Sequence, residues 1–201
     1  MATNYSPKIV TNGLVLCLDA ADNNSYPGSG TNWGDLSGNG NDFTLEASGI
    51  THNSNGYFDL SNGGAIGNFN ITDSTTCTFV FWMMSTDTQA LWWKLVGSTS
   101  AYLGAYRNEN KEYYNSFGTG IEFHMDLTEP SNIYDNFPDG QWHMVEFKNV
   151  DMSGIDTNEF NNYSSYTFTS SKVGIIQLYD RNLTSKESAQ NFNAQRSRFG
   201  V

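Results

Sequence analysis

Residues 13–42 constrain this chain more than any other stretch. Gly13-Leu14-Val15-Leu16-Cys17-Leu18-Asp19 is an apolar run bounded by turn formers, which reads as a buried strand. The segment Asn32-Trp33-Gly34-Asp35-Leu36-Ser37-Gly38-Asn39-Gly40-Asn41-Asp42 follows. Gly38, Asn39, Gly40 and Asn41 tolerate the positive φ that a sharp reversal needs, so a tight hairpin is expected there. A chain that opens this way is committed to β structure and must find partners for its first strand.

Those partners are visible as further strand patterns at Thr76–Met84, Gln89–Gly97, Ile121–Leu127, Gln141–Val150 and Val173–Asp180, each bounded by Gly, Asn, Asp or Pro. In Thr78-Phe79-Val80-Phe81-Trp82-Met83-Met84 both faces are apolar, so this strand is expected to be covered on both sides. Leu91-Trp92-Trp93-Lys94-Leu95 alternates instead, with Leu91, Trp93 and Leu95 on one face. One helix is expected, from about Thr184 to Ser197. Thr184-Ser185-Lys186-Glu187 is a capping-box sequence, Leu183, Ala189, Phe192 and Phe199 supply a packing face, and Arg196 and Arg198 sit at the carbonyl end. Many strands with a single late helix predict an all-β antiparallel sandwich. Residues 1–12 read as an extended arm and residues 13–201 as a single domain, since nothing between them has linker composition.

Charge narrows the partners. The formal net charge of −11 argues against nucleic acid as a partner, because phosphate binding requires a basic face. Residues 172–201 nevertheless carry five cations against two carboxylates, a net +3 that leaves −14 on the remainder. This basic segment is expected to dock on the chain's own acidic body. No apolar run reaches the roughly 18 residues that cross a bilayer, and the first twelve residues lack the basic start and apolar centre of an export signal. Cys17 and Cys77 match no metal spacing and read as reduced core thiols.

Several of these segments resemble concanavalin A-like, laminin-G-like jelly-roll domains: Gly13–Ala20, Ser25–Trp33 and Asp35–Asn41, then Gly140-Gln141-Trp142-His143-Met144-Val145 and Ile176–Thr184. The ending, with Asn191-Phe192-Asn193-Ala194 and Arg198-Phe199-Gly200, is most similar to domains in structural proteins of tailed phages, marine ones in particular. Residues 97–138 depart from the pattern. The resemblance implies a jelly roll and a non-enzymatic virion protein, a capsid decoration or accessory protein, that assembles in host cytoplasm and is displayed at the particle surface. It implies other virion proteins as partners, such as the major capsid protein, and allows homo-oligomers and calcium, though it requires no cofactor.

Because this fold hosts lectins, hydrolases and passive units alike, function must be sought in sites. The Glu-x-Asp-x-Glu strand of related glycosidases is absent. The best acid/base candidate is Glu122 with Asp126, expected on one strand face with His124 between them. His143 reads as structural. No nucleophile elbow, metal-binding helix or phosphate loop is present. For surface glycans, the alternative partner, the candidate aromatic platform is Trp92, Tyr102, Tyr106, Tyr113 and Tyr114; strand alternation lets only one of the last two join any single site. Trp82, Trp93 and Trp142 are expected in the core. For calcium, the candidate oxygen ligands are Asp19, Asp22, Asp35, Asn39, Asn41 and Asp42, residue types that also serve turns. Candidate capsid or subunit contacts are Tyr5 and Ile9 on the arm and Arg196 and Arg198 on the basic segment; the arm can add a strand to a neighbour's sheet.

Overall fold

A computed structural model describes residues 8–46, 49–60, 65–67, 74–86, 91–97, 101–105, 113–115, 120–130, 139–153, 155–160 and 171–201, with 65–67, 91–97, 101–105, 113–115 and 155–159 described as backbone. In chain order the strands are β1 (Leu14–Asp19), β2 (Asn32–Trp33), β3 (Phe43–Leu45), β4 (Thr51–Asn53), β5 (Tyr57–Asp59), β6 (Ala65–Gly67), β7 (Cys77–Ser85), β8 (Leu91–Gly97), β9 (Ala101–Ala105), β10 (Tyr113–Asn115), β11 (Glu122–Met125), β12 (Trp142–Val150), β13 (Ile155–Phe160) and β14 (Ser171–Tyr179). Helix α1 (Ser185–Phe199) closes the described chain.

Two antiparallel sheets face each other. The first runs β11-β12-β7-β14-β5-β4, and β1 also pairs with β14; the second runs β10-β9-β8-β13-β6-β3-β2. On β14 the two partners share one edge. Lys172 and Val173 pair with β5, while Ile175 to Tyr179 pair with β1. Between the sheets lies an aromatic core that includes Trp33, Phe43, Phe58, Phe79, Phe81, Phe147 and Phe160, all fully buried. Each buried ring of this kind contributes roughly 3–5 kcal/mol, judged by the usual cost of truncating it.

The outer face of the first sheet is covered by α1. Val80, Trp82, Met144, Ile175 and Tyr179 from the sheet meet Leu183 and Phe192, with Phe199 packed against them. This explains the two apolar faces of β7: odd-numbered Phe79, Phe81 and Met83 enter the inter-sheet core, and even-numbered Val80 and Trp82 meet the helix. The helix starts as its sequence predicts. Thr184 Oγ1 accepts from the Glu187 amide, and the Glu187 carboxylate accepts from the Thr184 amide. Arg181, hydrogen-bonded to Glu187, and then the Thr184 backbone hold the Glu187 carboxyl down at about 2.

The structure corrects the expected tight hairpin. β2 and β3 pair Asn32 with Thr44 and Trp33 with Phe43, so residues 34–42 form a nine-residue connection. That connection folds onto β1 instead of simply reversing. Asp35 Oδ1 accepts from the Cys17 amide, the Leu36 amide donates to the Cys17 carbonyl, and Ser37 Oγ and Asn41 Nδ2 donate to the Val15 carbonyl. The loop thereby satisfies the β1 edge that β14 leaves open, which removes a template for unwanted strand pairing.

The arm is also partly accounted for. Tyr5 lies outside the described residues. From Lys8 onward the segment is bound to its own domain: the Lys8 carbonyl accepts from Gln190 Nε2, the Val10 amide donates to Asn191 Oδ1, and Tyr179 donates to the Val10 carbonyl. Ile9 is half-buried, so this part of the arm is not a free extension.

Candidate ligand-binding cleft

At the C-terminal end of α1 the outer face of the first sheet is left uncovered. There Met84 stands opposite Trp142 on β12 and opposite Lys172 on β14, and the β4–β5 turn brings Asn55 and Tyr57 alongside. Gly174 sits at a register shift of β14, and a Cβ at this position would lie 2.6 Å from the Phe199 ring. Only a glycine lets Phe199 lie flat on the sheet. Phe199 then stacks on Trp82 at 4.5 Å between centroids and meets Trp142 at 4.8 Å, while Trp142 meets Tyr57 edge-on at 5.5 Å. The result is a cleft of about 450 Å³ lined by Asn55, Tyr57, Met84, Trp142, Arg198 and Phe199. Trp142, expected in the core, is half-buried at its wall. Lys172 Nζ stands 5.3 Å from the Tyr57 ring centroid.

Arg198 separates this cleft from a second one. Its Nη1 donates to Asp19 Oδ1 at 2.5 Å, its Nη2 donates to the Gly56 carbonyl, and its guanidinium lies 4.9 Å from the Phe199 ring. The second cleft, about 380 Å³, is lined by Ile9, Leu14, Cys17, Asp19, Asp22, Leu36, Ile175 and Arg198 among others. Thus Ile9, Asp19, Asp22 and Arg198, assigned to different roles from sequence, share one surface. Arg198 is already paired within the chain, whereas Arg196 is exposed at the helix end near the Phe192 ring.

The candidate calcium ligands serve the loops. Asp35 accepts four hydrogen bonds, from the Cys17, Ser37 and Asn41 amides and from Ser37 Oγ. Asp42 accepts from the Asp35 amide, and Asp22 from the Asn24 amide and side chain. Asn39 and Asn41 turn their amide nitrogens to β1 carbonyls, so they present donors and not oxygens to this region. Among the described residues no group of three or more His, Cys, Asp or Glu is placed to hold a metal ion, and the six do not fit calcium as arranged. The aromatic candidates lie on the second sheet: Trp92 falls at a register shift of β8, Tyr102 pairs with Lys94, and Tyr113 and Tyr114 pair with Ala105 and Gly104. Tyr106 lies outside the described residues.

The expected acid/base pair does not form. β11 ends at Met125, and Asp126 and Leu127 take left-handed backbone conformations, φ 47° and 71°. Asp126 therefore leaves the strand face that holds Glu122 and His124. It instead accepts from the Met144 amide at 2.9 Å and contacts His143 Nδ1 at 2.6 Å, while Asp139 contacts His143 Nε2 at 3.1 Å. Burial alone would lower the His143 pKa, but the hydrogen bonds and charges of Asp126 and Asp139 outweigh it and raise the value. Glu122 accepts from Asn149 Nδ2. Cys17 and Cys77 are free and buried, and burial pushes their thiols up to about 12 and about 11.

No family model and no curated protein matches this chain. Solved structures do. A mutant Trypanosoma rangeli sialidase with trans-sialidase activity superposes with a TM-score of 0.62 at 15% identity, over 96% of this chain and 34% of that one. The T. rangeli sialidase in complex with the inhibitor DANA gives 0.61 at 15% over the same shares. The binding domain of botulinum neurotoxin serotype D gives 0.55 at 12%, over 93% of this chain and 52% of that one. What they share with this chain is the β-sandwich fold. The chain spans about a third of the sialidase chains and about half of the toxin domain.

Proposed function

We propose that this chain is a non-catalytic protein of a tailed-phage particle, a capsid decoration or accessory surface protein, with other virion proteins as its partners. The observation that carries this reading is that the ending most similar to tailed-phage domains, Asn191–Ala194 and Arg198–Gly200, packs into a frame built from the segments that resemble concanavalin A-like, laminin-G-like jelly rolls. Gly13–Ala20 pairs with the strand leading into α1, Asp35–Asn41 seals its free edge, and Trp142 and Phe199 lock the helix to the sheet. The non-catalytic part is supported by where the charged groups go: Asp35 organises a loop, Asp126 and Asp139 clamp His143, Glu146 pairs with buried Lys148, and Glu187 caps the helix. The test is the copy number of this chain relative to the major capsid protein in purified particles, by quantitative mass spectrometry. Hundreds of copies support decoration, a handful points to tail or fibre, and absence overturns the virion reading.

A second reading, glycan-binding adhesion, is favoured by the aromatic cleft and is compatible with the first. The structural neighbours include a sialidase in complex with sialic acid and a toxin receptor binding domain, which lends support at the level of fold.

A further inference from the structure

We infer that the Tyr57–Trp142–Phe199 cleft is a saccharide site that takes an acidic pyranose, one bearing a carboxylate or sulfate. This rests on the adhesion reading and names its site and ligand class. Three observations carry it. First, the cleft offers half-buried aromatic rings at an open surface, and a sugar ring presents an apolar C–H face of matching size; a volume of about 450 Å³ holds one or two sugar residues. Second, its polar lining is donor-rich. Among the described residues Asn55 and Arg198 line it and no Asp or Glu does. Third, Lys172 is held over the Tyr57 ring beside the cleft and, among the described residues, joins no carboxylate in an ion pair, although Asp59 stands opposite it in register.

A ligand stacked on Tyr57 and Trp142 would thus meet the Lys172 ammonium and the Asn55 amide, while Arg198, already paired with Asp19, holds the Phe199 wall in place. An acceptor-rich anionic sugar satisfies these donors, whereas a neutral sugar leaves the charge unused. The site differs from the strand platform of Trp92, Tyr102, Tyr106, Tyr113 and Tyr114 because it needs α1 docked on the sheet.

The test titrates the full chain with a glucuronate-containing oligosaccharide, a sulfated oligosaccharide and a neutral oligosaccharide of equal length, by isothermal calorimetry. Wild type, Tyr57→Ala and Lys172→Gln are compared, each checked for an unchanged circular dichroism spectrum. The expected result is binding of at least one acidic probe, weakened roughly tenfold in Tyr57→Ala and roughly fivefold in Lys172→Gln, with the neutral probe weaker than either acidic one. Lys172→Gln leaves the aromatic wall in place, so it stays informative if Tyr57→Ala fails to fold. Acidic binding unchanged in both variants overturns the cleft and leaves the adhesion reading standing. Preference for the neutral probe overturns the ligand class. No binding of any probe overturns the inference and the adhesion reading together, and leaves the virion reading to the particle copy number.

Discussion

The two faces of the first sheet differ in kind. Its inner face is apolar but for the buried Ser85–Ser171 hydroxyl pair at one end, with Phe79, Phe81, Phe123, Val145, Phe147, Ile176 and Leu178 interlocked with the second sheet. Its outer face mixes apolar Val80, Trp82 and Met144 with polar groups: Gln177 and Glu146 flank Val80 in one row across the sheet, with half-buried His124 beyond Glu146. Glu146 pairs with Lys148 at 3.0 Å and accepts from Ser188 of α1 at 3.0 Å. A sheet–sheet interface can be filled by shape alone, but a helix laid over a sheet can slide. The bonds from Ser188 to Glu146, Trp82 to Gln195 and Asn191 to Tyr179 give the helix one position, and that position decides where the aromatic cleft opens.

This contrast can be broken or sharpened by substitution. The largest effect is expected at the inner face, where Phe81→Ala removes a fully buried ring and should cost about 3–5 kcal/mol in chemical denaturation. A comparable loss from surface-facing Phe199→Ala would erase the distinction. Next, Lys148→Met leaves Glu146 as a buried unpaired charge and should cost about 3 kcal/mol, while the double change Glu146→Gln with Lys148→Met should recover most of it. A double variant as unstable as the single one would mean the pair holds the sheet itself and not the helix register. Thr184→Ala removes the helix cap and should cost about 1 kcal/mol.

The smallest effect is a pH dependence. The His143 pKa is raised in the folded state, so its contribution is fully present below the ordinary histidine value and is lost as pH rises through the folded value. Melting temperature should therefore drift down as pH rises above the ordinary histidine value of about 6.5, and Asp126→Asn should flatten that part of the profile. A profile identical in the variant would remove His143 from the account.

The inner core was legible in the sequence because apolar runs bounded by turn residues report directly on buried strands, as at β1, β7, β12 and β14. The helix was legible from its cap, although it runs two residues beyond Ser197, and those two residues are Arg198 and Phe199 of the cleft. The cleft itself was not legible. Tyr57, Trp142 and Phe199 come from three distant segments, and they meet only because Gly174 admits the Phe199 ring. Asp126 was misread for a local reason: strand alternation was extended through two residues whose backbone turns left-handed. The Asp and Asn residues of residues 19–42 suit either a cation or a turn, and only their hydrogen-bond partners distinguish the two.

The most direct test of the central claim is to follow the five tryptophan indole N–H signals by nitrogen–proton correlation NMR while adding the glucuronate-containing oligosaccharide. The Trp142 signal is expected to move with increasing ligand while the Trp92 and Trp93 signals stay in place. Movement of Trp92 or Trp93 with Trp142 unmoved would contradict the claim and put any saccharide site on the second sheet.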